Sequence, residues 1–68
     1  MGQINDAMAA FEYGIQVAPD DELPYLNLAR IWVQKGERDK ARDIMRALLA
    51  RKPDSRIATK GLEQLGDR

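Results

Sequence analysis

The sequence contains no cysteine and no histidine. Without cysteine, neither a disulfide bond nor a thiolate metal site can form. Without histidine, the commonest general base and metal ligand is missing. Ser55 and Thr59 are the only hydroxyl groups besides the two tyrosines, so a nucleophile activated by a neighbouring base has almost no candidates. These absences predict a protein that is not an enzyme and uses no cofactor.

Long apolar runs are missing as well. No segment approaches the length needed to cross a membrane, and the N-terminus lacks the basic-then-apolar pattern of a signal peptide. Membrane insertion is therefore not predicted, and a soluble cytoplasmic protein is the default expectation. The densest acidic run, Asp20-Asp21-Glu22, is too short to supply the six to eight oxygen ligands of calcium. It is better explained as a helix start, and no metal site is predicted.

The charges are balanced in number but not in position. The chain has 68 residues, of which 44% are hydrophobic and 32% charged, as expected of one small folded domain. Eleven basic residues match eleven acidic residues. Residues 1–34 hold five acids against one base, a net charge of −4, and residues 35–68 hold ten bases against six acids, a net charge of +4. Such asymmetry is a candidate association signal.

A pattern of small, apolar and proline residues occurs twice, 34 residues apart. Gly2, Ala7, Phe11, Ile15 and Pro19 return as Gly36, Ala41, Met45, Leu49 and Pro53. Self-similarity at a fixed period of this length is typical of solenoid repeats.

The apolar spacing predicts four helices and no strands. Apolar residues recur at intervals of three and four over residues 4–17, 22–35, 38–51 and 55–65. Prolines at 19 and 53 and the glycine at 36 separate these segments. Because the connections are short, neighbouring helices should be antiparallel. Gly14 lies inside the first helix, so either the helix is locally weak there or another backbone packs close to that point.

The two middle helices resemble a tetratricopeptide repeat. The resemblance is carried by Tyr25, Leu28, Ala29, Trp32, Gly36, Ala41, Met45 and Pro53, in the order and spacing of that 34-residue family. It implies an all-α fold in which antiparallel helix-turn-helix units form a right-handed superhelix. Residues 1–21 would be the second helix of one repeat, residues 22–55 a complete repeat, and residues 56–68 a capping helix. Thr59, Glu63 and Gly66 depart from the family pattern, as expected where an outer face meets water.

The resemblance also implies a binding surface, because the first helices of such repeats line a concave groove that holds an extended peptide or a helix. The corresponding residues here are Leu26, Asn27, Arg30, Val33 and Gln34, continued by Lys60 and Gln64. Amide, cationic and aliphatic groups together suit a peptide backbone with one acidic group. Some members clamp a C-terminal carboxylate, but Ile57 and Gly61 depart from that set, so binding of chaperone tails is not predicted.

Self-assembly is the alternative function. A chain that begins with a second helix leaves one apolar face uncovered, and a repeat cannot bury such a face alone. Either the chain is part of a longer protein, or it forms a homodimer through Ile4, Ala7, Met8 and Phe11.

A nucleic-acid surface is disfavoured. Arg38, Arg42 and Arg46 recur along one face of the third helix, and a row of cations can bind an anionic surface. Asp39 and Asp43 precede two of these arginines by three residues, so local ion pairs explain the row better.

Overall fold

The computed structural model describes residues 3–66, and these residues form four α-helices and no strand. The helices are α1 (Gln3–Val17), α2 (Glu22–Gln34), α3 (Arg38–Arg51) and α4 (Arg56–Gln64). The predicted all-α fold is confirmed, and the predicted helix ends agree to within one or two residues.

The starts of α2 and α4 use the same capping device 34 residues apart. Asp21 accepts a hydrogen bond from the Leu23 amide at 3.2 Å, and Ser55 accepts one from the Ala58 amide at 3.1 Å. Each side chain satisfies an amide that has no partner within its helix. Pro24 lies in the first turn of α2, where its missing N–H has no bond to lose. The repeat is therefore visible in the caps as well as in the apolar pattern.

The turn between α2 and α3 depends on Gly36. Its φ angle is +80°, a left-handed conformation that glycine adopts without steric cost. The Gly36 amide donates to the Val33 carbonyl at 2.9 Å, and the Glu37 amide donates to the Trp32 carbonyl at 2.8 Å. This pair of bonds is the Schellman motif, which satisfies carbonyls left free at a helix end. The turn brings α3 back against α2.

The core lies between α2, α3 and α4. Its buried members are Tyr25, Ala29, Ala41, Met45, Leu48, Ala58, Leu62 and Leu65. Trp32, one of the residues that carry the resemblance, is only partly buried and packs at the edge of this cluster. The ammonium of Lys40 lies 4.6 Å from its ring centroid, which provides a cation–π contact for the outer face of the indole.

Helix α1 packs against one neighbour. In the part of the chain that the structure describes, its backbone approaches that of α2 and no other helix. A Cβ atom added at Gly14 would lie 3.3 Å from Pro24 Cγ. The close approach predicted at Gly14 is therefore present, although a proline ring makes it rather than a backbone. The Tyr25 hydroxyl closes the same turn by donating to the Pro19 carbonyl at 2.7 Å.

Acidic residues of the first half meet basic residues of the second half within the chain. Arg51 pairs with Asp20 at 3.2 Å, and Lys52 lies 3.6 Å from Glu22. The Ser55 hydroxyl donates to the other oxygen of Glu22 at 2.5 Å. Part of the charge asymmetry of the sequence is thus used internally, where α2 begins beside the end of α3.

The left-handed turn makes Gly36→Ala destabilising. A β-carbon in this conformation costs about 1–2 kcal/mol, and we expect a loss of that size in the free energy of unfolding, measured by urea titration and circular dichroism. Gly36→Asn should cost less, because asparagine tolerates positive φ. Gly66→Ala is the matched control: Gly66 has a similar φ of +83° but follows the last helix, so its substitution should change the global stability less. Equal losses at both glycines would contradict this account.

Candidate functional site: the groove between α2 and α4

A groove of about 550 Å³ lies between α2 and α4, with one end against the start of α3. Its lining consists of Leu26, Ala29, Arg30, Val33, Gln34, Arg38, Met45, Gly61, Gln64 and Leu65. The buried or half-buried members form the floor, namely Ala29, Met45, Gly61 and Leu65. The exposed members form the rim, which carries two guanidinium and two amide groups, and half-buried Leu26 lies beside the floor. The volume falls within the usual range of ligand sites.

The position of α4, and so one wall of the groove, depends on a close contact between α3 and α4. A Cβ atom added at Gly61 would lie 2.6 Å from Met45 Sδ and 3.1 Å from Met45 Cγ. Met45 is 1% exposed, so its thioether fills the space that a side chain at position 61 would need. The absence of that side chain lets α4 lie close over the core.

Two arginines of α3 fix the C-terminal end of α4. Arg42 Nη1 donates to the Leu65 carbonyl at 2.9 Å, and Arg38 Nη2 donates to the Gln64 carbonyl at 3.2 Å. Carbonyls at a helix end have no partner within the helix, and cations are favourable there because of the helix dipole. Arg42 is half-buried and also pairs with Asp39, whereas Arg38 is exposed. Arg42 is the better-held of the two.

The structure brings together five of the seven residues predicted for the groove. Leu26, Arg30, Val33, Gln34 and Gln64 line it. Asn27 is half-buried and lies outside the lining, although it stands seven residues before Gln34 and so on nearly the same side of α2. Lys60 is exposed, one turn before Gln64, and also lies outside the lining.

The sequence did not indicate five of the lining residues: Ala29, Arg38, Met45, Gly61 and Leu65. Ala29, Met45 and Leu65 belong to the buried core and form part of the groove floor as well. In the sequence, Arg38 stands in the row of arginines on the third helix, which local ion pairs were expected to explain. Its position directly after the tight turn that ends α2 is the one signal that could have placed it near the groove.

The residues predicted for self-association are mostly turned toward the protein. Met8 is buried, and Ala7 and Phe11 are half-buried, while the Ile4 side chain lies outside the described residues. The exposed large apolar residues of α1 are instead Tyr13, at 67%, and Val17, at 64%. They follow the helix at an interval of four residues and so lie near one another.

The basic face of α3 forms the expected local pairs. Arg42 pairs with Asp39, and Arg46 lies 3.6 Å from Asp43. Between residues 3 and 66, no group of three or more His, Cys, Asp or Glu residues is placed to hold a metal ion. None of the helices described has both the length and the apolarity needed to traverse a lipid bilayer.

Comparison with known proteins gives one match. A family model described as tetratricopeptide repeat matches residues 1–64, which is nearly the whole chain and agrees with the resemblance drawn from Tyr25, Leu28, Ala29 and Trp32. Neither a curated protein nor a solved structure gives a significant match.

The Met45–Gly61 contact predicts that Gly61→Ala is destabilising even though alanine favours helix. The helical gain is at most about 1 kcal/mol, whereas displacing the Met45 side chain within the core costs about 1–3 kcal/mol. We expect a net loss in the free energy of unfolding, measured by urea titration. Met45→Ala alone should also be destabilising. The double variant should lose less free energy of unfolding than the sum of the two single losses, by at least about 0.5 kcal/mol. Strict additivity would show that the two sites do not touch.

Proposed function

Because the chain belongs to the tetratricopeptide repeat family, a class of modules that typically mediate protein interactions without catalysis, we propose that its groove binds a segment of a partner protein. The observation that carries the proposal is the groove between α2 and α4, with its buried apolar floor and its exposed polar rim. This combination of apolar contact area and a few placed polar groups is typical of sites that hold a peptide.

The proposal includes the repeat assignment of the helices. In it, α1 is the second helix of one repeat, α2 and α3 form a complete repeat, and α4 is the first helix of the next. The equivalent caps at Asp21 and Ser55 support this assignment, as do the prolines that follow α1 and α3 at the same spacing. The groove then lies between two first helices.

Val33 provides the test of groove binding. It is 39% exposed on the rim, so Val33→Asp should be tolerated by the fold while it places a charge in the contact surface. For peptides selected on the native chain, we expect Kd to rise about tenfold or more, the size typical of substituting a central contact residue. Binding would be measured by isothermal titration calorimetry or fluorescence anisotropy.

Val17→Asp is the matched control, since Val17 is an exposed valine on α1, outside the groove. It should leave the Kd for those peptides nearly unchanged. If Val17→Asp weakens binding as much as Val33→Asp does, the peptides bind elsewhere and the proposed site is wrong.

Self-assembly is the second candidate function, and the exposed pair Tyr13 and Val17 on α1 favours it. An exposed tyrosine beside an aliphatic residue, on a helix whose backbone approaches one neighbour, is the kind of surface that a second copy can cover. In this version the contact lies on the outer side of α1. The predicted residues Ala7 and Phe11 lie about 120° and about 160° around α1 from Tyr13, so they are not part of this contact.

Tyr13→Asp tests assembly more cleanly than Phe11→Asp, because Phe11 is half-buried and its substitution would also disturb packing. If α1 mediates assembly, the native chain should sediment as a dimer or larger species at high concentration, and Tyr13→Asp should sediment as a monomer. Analytical ultracentrifugation over a concentration series would measure this, with Val33→Asp as the control that keeps the native size. A native chain that is monomeric throughout would exclude assembly as the function.

A further inference from the structure

Building on the proposed function, we infer that the groove recognises an acidic segment in which a large apolar side chain stands beside carboxylates. The apolar side chain occupies the floor formed by Ala29, Met45, Gly61 and Leu65. The carboxylates bind Arg30 and Arg38 on the rim. The inference names the chemistry of the partner and adds Arg38 as a residue that determines specificity.

The charge of the lining is the first argument. The whole chain carries equal numbers of acidic and basic residues, yet the groove lining contains two arginines and no acid. The nearest acids in sequence, Glu37, Asp39 and Glu63, are exposed and lie outside the lining, and Asp39 pairs with Arg42. A cleft of one sign with apolar walls attracts and orients groups of the opposite sign.

The two arginines are available to a ligand. The Arg30 side chain is exposed and makes no ion pair or hydrogen bond with the rest of the described chain. Arg38 is exposed and donates one 3.2 Å bond, to the Gln64 carbonyl. A guanidinium group has five N–H donors, so Arg38 can donate to a carboxylate of a ligand and keep its bond to the Gln64 carbonyl. Paired hydrogen bonds between a guanidinium and a carboxylate are stronger than hydrogen bonds between neutral groups.

Arg42 holds the end of α4, so the fold does not depend on Arg38 alone for that contact. Its 2.9 Å bond to the Leu65 carbonyl caps the end of α4 independently, and its half-buried position beside Asp39 keeps it in place. One arginine therefore holds the helix while the other is left at the mouth of the groove. The two have different roles although they stand four residues apart on one helix.

The floor accounts for the apolar part of the ligand. Met45 and Leu65 are buried, and the Met45 thioether fills the space beside Gly61, so the floor is apolar. Half-buried Leu26 and the rim residue Val33 extend the same apolar surface along α2. A Leu, Ile or Phe side chain placed there would have much of its apolar surface removed from water, which favours binding.

The same cations could attract a nucleic acid, but the lining favours a peptide. Single-stranded nucleic acids are held by aromatic rings on which bases stack, together with cations. The groove lining contains no aromatic residue, and Tyr25 and Trp32 lie outside it. An apolar floor of aliphatic and thioether groups suits a side chain better than a base.

A phage-displayed library of random peptides tests the inference. Selection on the native chain at low salt, followed by removal of phage that also bind the Val33→Asp variant, retains groove-dependent sequences. We expect these sequences to be enriched in Asp or Glu within two residues of Leu, Ile or Phe. Their Kd should rise as NaCl is raised from about 0.05 to about 0.5 M, because exposed charge pairs are screened.

A charge-matched pair of variants isolates the arginines. Arg30→Glu with Arg38→Glu should raise the Kd of the selected acidic peptides about tenfold or more. Lys35→Glu with Arg56→Glu changes the net charge equally at exposed positions outside the groove, and it should weaken them several-fold less. Circular dichroism would confirm that both variants remain helical.

The outcomes separate the inference from the function on which it rests. Groove-dependent peptides without acidic residues, or equal losses in both charge-reversal variants, would overturn the inference and leave groove binding in place. A selection in which all phage that bind the native chain also bind the Val33→Asp variant, so that no groove-dependent sequence is retained, would overturn both. A fluorescent single-stranded oligonucleotide that binds the native chain and is released by Arg30→Glu with Arg38→Glu would show that the cations serve a nucleic acid instead.

Discussion

The packing around Met45 is the constraint on which the other features depend. Met45 extends from α3 into the cluster that α2 supplies through Tyr25 and Ala29, and its sulfur occupies the space beside Gly61 of α4. One flexible side chain thus sets the distances among three helices. It also forms part of the groove floor, so the Met45 side chain belongs to both the core and the candidate site. The geometry of the groove is a direct result of how the core is filled.

Sequence reasoning was most successful where a property follows from nearby residues. Helix ends could be predicted because prolines, Gly36 and the capping residues act locally. The same reasoning predicted five positions of α2 for the groove, and four of them line it, whereas Asn27 lies outside the lining. Arg38 and Gly61 were missed because their roles arise from the approach of α4 to α3. The distance between these two helices cannot be predicted from residues that are near one another in the sequence.

The charge asymmetry shows how a sequence-level signal divides once the chain is folded. Asp20 and Glu22 find Arg51 and Lys52 where the ends of α2 and α3 meet, and exposed pairs of this kind contribute at most about 1 kcal/mol each. Arg42 is used for the end of α4. The cations that remain without an acidic partner in the groove are Arg30 and Arg38. Arg30 comes from the acidic half of the sequence and Arg38 from the basic half, so the fold brings cations of both halves to one groove.

The pattern of helix contacts has a consequence for how the chain reaches this structure. Each helix in residues 3–66 packs against its neighbour in sequence, and α2 with α4 is the one pair that skips an element. Contacts so near in sequence require little loop closure, and proteins built from them fold in microseconds to milliseconds. Helix pairs can form in any order, and opening of α1 or α4 need not disturb the central hairpin. Fast exchange at the two ends around a more persistent middle is the expected behaviour of such a chain.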